Sequence, residues 1–302
     1  DRRDKNCNPT GHCMANKILA SFELMRMKNI LLASVATPVG ALLALGDLTS
    51  IKEYPEVLFA TTSVLFFMGA GNAMNDLRDI EIDRVAHPNR PLAREALSEK
   101  EAKRLTISLA LLSLGSLVAC CLMMDDERLY TLSIYGIVAL LMLSYDSFLE
   151  LKNKGLVGNV SISLLVAAVT LYGASSVGEL TNPLIWYVSG VVFFVNLARE
   201  IIKDCQDLDA DSETRVTLPM KIGLENSRMV AYVLTLFGIV MLYIPYWQGP
   251  FEFGQLLFQA PAMLVLITLN GPMWKGDDYV AATRLRIAML LGLLGFILTL
   301  VV

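Results

Sequence analysis

Nine long apolar runs decide what this chain can fold into. They occupy residues 27–45, 54–74, 102–123, 130–145, 156–177, 184–198, 229–246, 255–269 and 280–302. A helix of about 20 apolar residues matches the hydrocarbon thickness of a bilayer. The expected fold is therefore all-α: a polytopic membrane protein with about nine transmembrane helices. Several runs fall short of that length, so tilt or helical extension past the bilayer is expected. A soluble core in a 302-residue chain would not need 55% hydrophobic residues or a mean hydropathy of +0.53.

The charges fix an orientation. With nine spans, the amino terminus and every second connection share one side, and 23 of the 25 Lys and Arg residues fall there. Only Lys52 and Arg128 fall on the other. The positive-inside rule makes the basic side cytoplasmic and the carboxyl terminus external. The net charge of -4 decides nothing, because the distribution matters more than the sum.

Two acidic stripes interrupt this pattern. The first is Asn75, Asp76, Asp79 and Asp83, at the end of the second run; the second is Asp204, Asp207 and Asp211, at the end of the sixth. On an ideal helix, Asn72, Asn75, Asp76, Asp79 and Asp83 fall within an arc of about 100°. Asn196, Glu200, Asp204, Asp207 and Asp211 fall within about 80°, and Asp209 points away by about 140°. A carboxylate stripe continuing a membrane helix is costly unless a cation neutralises it. Oxygen-only ligation favours Mg²⁺, which keeps waters and completes its shell with phosphate oxygens. The stripes read as a cytoplasmic clamp for Mg²⁺ and a diphosphate.

Basic residues lie beside the acids: Arg78, Arg84, Arg90 and Arg94 around the first stripe, Arg199, Lys203, Arg215 and Lys221 around the second. Arg90 and Lys203 are the choices to complete a diphosphate site, since Mg²⁺ alone leaves anionic charge uncompensated. The fourth connection adds Tyr145, Asp146, Lys152 and Lys154, and the fifth run opens with Gly158 and Asn159. Ser98 to Glu101 reads as a capping box that starts the third run. Pro88, Pro91 and Pro219 are expected to keep the two long connections, 84–97 and 212–228, from being helix extensions. The first 21 residues are expected to be a flexible amino-terminal segment of a single membrane domain spanning 1–302. No cleavable signal is apparent.

Asn75-Asp76-x-x-Asp79-x-x-x-Asp83 followed by Asn89-Arg90-Pro91-Leu92 resembles the first signature of the UbiA superfamily of intramembrane prenyltransferases, and Asp204-x-x-Asp207-x-x-x-Asp211 resembles the second. Within that superfamily, Arg199 to Asp204, Thr217 to Pro219 and Lys154 to Asn159 are most similar to the archaeal branch that builds digeranylgeranylglyceryl phosphate. Leu77-Arg78 and Ala93-Arg94-Glu95 depart from the common pattern. The resemblance implies transfer of a prenyl group, by expectation geranylgeranyl, from a prenyl diphosphate to a lipophilic acceptor within the bilayer. It implies two Mg²⁺ ions, with Asn75, Asp79 and Asp83 on one and Asp204, Asp207 and Asp211 on the other. Asp76, Arg90, Tyr145 and Lys203 are the expected catalytic set. Asn72, Arg78, Lys152, Lys154, Asn159 and Arg199 are expected to contact diphosphate or acceptor. Geranylgeranylglyceryl phosphate is the favoured acceptor; an aromatic acid of quinone synthesis is the alternative. A cation-coupled transporter is a remoter one, because its acids would sit near the bilayer midplane on broken helices. Neither nucleic acid nor an obligatory protein partner is expected.

Overall fold

The computed structural model describes residues 12–125, 127–208 and 216–301. Among them, eight helices are long and apolar enough to cross a membrane, and a further helix carries the shorter apolar stretch Ala33–Leu45. Each expected run falls on one of these nine. The helices are α1 (His12–Met25), α2 (Met27–Leu45), α3 (Glu56–Arg78), α4 (Ile80–Ala86), α5 (Glu99–Met123), α6 (Arg128–Leu143), α7 (Leu156–Ser176) and α8 (Pro183–Gln206). There follow α9 (Leu218–Ile222), α10 (Leu224–Trp247), α11 (Ala260–Ile267), α12 (Asn270–Lys275) and α13 (Asp278–Val301). A 3₁₀ turn, Phe253–Gln259, leads into α11, so one span is built from three short pieces. The protein is an all-α, multi-pass membrane protein.

The chain forms two compact units: Asp1–Val35 with Thr61–Ala119, and Ala36–Ala60 with Cys120–Val302. In the first, α1 packs through Ala20 and Leu24 into a cluster with Ala73, Ile80, Leu92, Leu97 and Ala102. The amino-terminal segment expected to be flexible is thus helical from His12, with Ala20 buried; residues 1–11 lie outside the described residues. The capping box forms at the start of α5: Ser98 N–H donates to Glu101 Oε2 at 3.0 Å, and Glu101 N–H to Ser98 Oγ at 3.3 Å. Deeper in this unit, the buried Ser113 hydroxyl donates to the Ser63 carbonyl at 2.9 Å. Such interhelical hydroxyl bonds substitute for a hydrophobic driving force that lipid does not supply.

In the second unit α8 is the hub, packed against α7, α10 and α13. Its entry is fixed by Asn182, whose Oδ1 accepts from Leu184 N–H at 3.0 Å while its amide donates to the Ala44 carbonyl at 2.8 Å. Pro183 follows at the first helical position, where a missing N–H costs nothing. The carboxyl-terminal part of α2 meets α7 backbone to backbone at two glycines. A Cβ on Gly173 would lie 1.9 Å from the Thr37 carbonyl oxygen, and one on Gly40 2.3 Å from that of Thr170. Pro219 does not keep its connection free of helix: it sits in the first turn of the short helix α9, a position proline tolerates.

Candidate active site

The first acidic stripe belongs to the first unit. Asn72, Asn75 and Asp76 lie on α3, Asp79 at a bend (φ -90°, ψ 10°) and Asp83 on α4. Two i to i−4 bonds flank the bend, Asp79 N–H donating to the Asn75 carbonyl at 3.0 Å and Asp83 N–H to that of Asp79 at 2.7 Å, while Asp79 itself lies outside both helices. Asp76 and Asp83, on either side of the break, still converge on one arginine, Arg90. Asp76 and Asp83 are each 3% exposed, and buried carboxylates require cationic partners. Arg26 Nη2 donates to Asp76 Oδ1 at 2.6 Å. Arg90 Nη1 donates to Asp83 Oδ1 and Oδ2 at 2.7 and 2.6 Å and lies 3.5 Å from Asp76 Oδ1. The Asn72 amide donates to the Met25 carbonyl at 2.8 Å, tying α3 to the end of α1. Arg78 is exposed at the last position of α3.

The second stripe belongs to the second unit. Asp204 is buried near the end of α8, and Asp207 caps that helix, its N–H donating to the Lys203 carbonyl at 2.9 Å. Asp211 lies outside the described residues. Asn159, on α7, donates from Nδ2 to Asp204 Oδ2 at 2.7 Å. One turn deeper, the Ser163 hydroxyl donates to the Asn159 carbonyl and accepts from the Asn196 amide at 3.2 Å. Asn196 thus continues the stripe inward as an interhelical link. Glu200 accepts from Arg199 Nη1 at 2.7 Å and from Lys203 Nζ at 2.9 Å.

A cavity opens beside this second stripe, lined by Tyr145, Lys152, Gly155, Asn159, Glu200, Lys203, Asp204, Asp207 and Thr217. Tyr145 reaches it from a π-helical turn, Ser144–Phe148, that extends α6; such turns often mark functional sites. Five residues expected from the sequence thus meet at one space: Tyr145, Lys152, Asn159, Lys203 and Asp204, with Asp207 as a sixth. Lys154 is exposed and Arg199 is turned to Glu200; neither lines the cavity.

The donor set of each stripe is oxygen only, which suits Mg²⁺. Among the described residues, no three Asp, Glu, His or Cys side chains gather as a ready cation site. The contacts above give the physical reason: Asp76 and Asp83 are drawn to arginines and Asp204 to an amide. Three contributors have no site role in the sequence reading, and a fourth has a different one. Arg26 sits at a left-handed turn (φ 59°) between α1 and α2, far along the chain from Asp76. Gly155 and Thr217 line the cavity; both lie in segments that carry the family resemblance but have no role there, and Glu200, placed in the second stripe, contacts Arg199 and Lys203.

Buried carboxylates braced by arginine, lysine and amide groups, at the ends of membrane helices, define a polytopic membrane enzyme that handles an anionic substrate. The UbiA prenyltransferase family matches residues 33–294, and the chain belongs to that family; it is a prenyltransferase. It is 32% identical over 255 residues to a digeranylgeranylglyceryl phosphate synthase of Methanococcus aeolicus, covering 84% of each chain. It is 31% identical over 284 residues to that of Pyrococcus furiosus, covering 91% of this chain and 95% of the relative. A solved structure concerning digeranylgeranylglyceryl phosphate synthase in membranes superposes with a TM-score of 0.75 at 26% identity, covering 94% of this chain and 99% of that one. A UbiA homologue from Archaeoglobus fulgidus bound to DMAPP and Mg²⁺ shares the fold, with a TM-score of 0.66 at 16% identity over 93% of this chain and 99% of that one.

Proposed function

We propose that this chain, acting as one membrane domain, transfers a geranylgeranyl group from its diphosphate to geranylgeranylglyceryl phosphate, with Mg²⁺, at the cytoplasmic face of the membrane. Three supports differ in kind. The curated relatives above carry that activity in their names. A relative of the same fold binds DMAPP with Mg²⁺. The observation that carries the reading is the cavity of the second unit, where Asp204 and Asp207 face the same space as Lys152 and Lys203.

In this reading Asn75, Asp79 and Asp83 hold one ion and Asp204, Asp207 and Asp211 a second. When bound, Mg²⁺ neutralises charge that builds on the phosphate oxygens as the allylic C–O bond breaks. The chain's own residues do the rest. Asn159 holds Asp204 in one orientation. Arg90 and Lys203 carry hydrogen-bond donors directed at Asp83 and Glu200, and the same donors would suit phosphate oxygens of a bound substrate. Lys152, at the cavity wall, suits the acceptor's phosphate. The acceptor hydroxyl forms the new ether bond, diphosphate leaves and a proton is released. The apolar helices around the prenyl chain keep water from the allylic carbon, and because that chain starts in lipid, its burial adds little affinity.

The test is turnover of radiolabelled geranylgeranyl diphosphate by the full chain in liposomes, with and without Mg²⁺. Geranylgeranylglyceryl phosphate, 4-hydroxybenzoate and a dihydroxynaphthoate are offered in parallel. Product with the first acceptor alone, abolished by chelation, is the expected result. Prenylation of 4-hydroxybenzoate with none of the glyceryl phosphate would refute the acceptor and leave the prenyltransferase assignment standing.

A further inference from the structure

The cavity holds one polar atom to which the stripes give no role. Thr217 is 1% exposed and lines the cavity; at the start of α9 its side-chain oxygen faces the Met220 N–H in a capping box, and its buried O–H has no acceptor among the described residues. A buried O–H with no acceptor is destabilising and rare, which makes a missing ligand oxygen its simplest explanation. The fold holds this threonine firmly. Gly155 has φ 57°, and a Cβ there would lie 2.6 Å from the Val216 carbonyl oxygen, so the segment before α7 presses backbone to backbone on Val216 and Thr217. The Thr217 N–H donates to Met220 Sδ at 3.4 Å, which fixes the residue from the other side. Lys152, Lys203 and Tyr145 line the same space. A neutral hydroxyl among cationic and phenolic donors, beside two aspartates, matches a phosphate oxygen better than a metal ion or a hydrocarbon.

We infer that Thr217 is a substrate-binding residue whose hydroxyl donates a hydrogen bond to a phosphate oxygen in this cavity. The inference deepens the reading proposed above and rests on it for the identity of the substrates. That oxygen belongs either to the acceptor's phosphate or to the diphosphate of the prenyl donor. The two sources share the chemistry and differ in which KM they control.

The experiment uses the full chain in liposomes with Mg²⁺, varying geranylgeranyl diphosphate and geranylgeranylglyceryl phosphate independently. Thr217→Val keeps the shape and removes the donor; Thr217→Ser keeps the donor. Loss of a hydrogen bond to a charged oxygen predicts that Thr217→Val raises one KM on the order of tenfold or more, with kcat changed far less. Thr217→Ser restores that KM; any loss of the α9 cap in Thr217→Val lowers the detergent unfolding midpoint without singling out one KM. A shift in the acceptor KM assigns the acceptor phosphate; a shift in the donor KM assigns the diphosphate. Both KM values within twofold of wild type in Thr217→Val, or no restoration by Thr217→Ser, would overturn the inference. Should wild type prenylate only an aromatic acid, the acceptor reading fails by itself, and the donor KM of Thr217→Val still decides the role of Thr217.

Discussion

Asp204 and Asp207 sit three residues apart and answer to different surroundings. Asp204 is buried and holds the Asn159 amide at 2.7 Å; Asp207 is half-buried at the helix cap. Asp207→Ala removes a proposed metal ligand at a half-buried helix end. Activity is expected to fall by about a hundredfold or more, with the unfolding midpoint in detergent nearly unchanged. Asp204→Ala is expected to lose activity as well, and also stability, by about 1–3 kcal/mol, because the buried Asn159 donor loses that partner. Initial rates and unfolding midpoints measured together separate the two. A near wild-type rate with ordinary Mg²⁺ dependence in Asp207→Ala would end the metal-ligand reading of that residue. In the first unit, Arg90 is the sensitive residue. Arg90→Ala leaves Asp83 buried without the arginine that binds both its oxygens, a loss of about 3–5 kcal/mol for a buried pair and less here because Arg90 is part-exposed. Arg90→Lys recovers charge but not the planar fork, and a partial recovery of the unfolding midpoint is the expected outcome.

At the scale of elements, what was legible was whatever a helix repeats. Each apolar run became a helix, because length and hydropathy are local properties that a bilayer reads directly. Two members of the first stripe also stayed together across the bend at Asp79, since Asp76 and Asp83 both meet Arg90. What was not legible depends on neighbours distant in sequence. Arg26 reaches Asp76 across fifty positions, and no local pattern announces it. Helix α1 is held by burial of Ala20 and Leu24, in a helix too short to register as a membrane span. The contact between α2 and α7 is of the same tertiary kind, and it yields a test. Gly173→Ala places a methyl 1.9 Å from the Thr37 carbonyl oxygen, so the helices must separate. Overpacking of this sort costs about 1–3 kcal/mol, and more where backbone must move. The expected outcome is a clearly lower unfolding midpoint and less monodisperse protein on extraction. Gly136→Ala meets nothing within 4 Å and serves as the control. Equal behaviour of the two variants would mean that α2 and α7 do not pack this closely.

At the scale of the whole molecule, the side of the membrane on which the chemistry happens decides which substrates reach it. The proposed substrates, a geranylgeranyl diphosphate and a glycerol phosphate ether, both carry anionic headgroups that do not cross a bilayer unaided, so on that reading both would meet the enzyme from one aqueous face. The basic bias of 23 residues to 2 predicts that face to be cytoplasmic. Helix α8 offers the cleanest place to test this, because it ends in the second stripe and is a single crossing with an exposed residue in each flank. Thr181 precedes it and Lys221 follows it, with α9 too short to return across the membrane. In a background with all five cysteines replaced, Thr181→Cys and Lys221→Cys are labelled with an impermeant thiol reagent on intact cells and on inverted vesicles. Lys221→Cys should react only in inverted vesicles, and Thr181→Cys only on intact cells. Reaction of both from the same side would break the nine-span arrangement. The reversed pattern would keep the spans and place the acidic stripes outside, where a diphosphate made in the cytoplasm could not reach them.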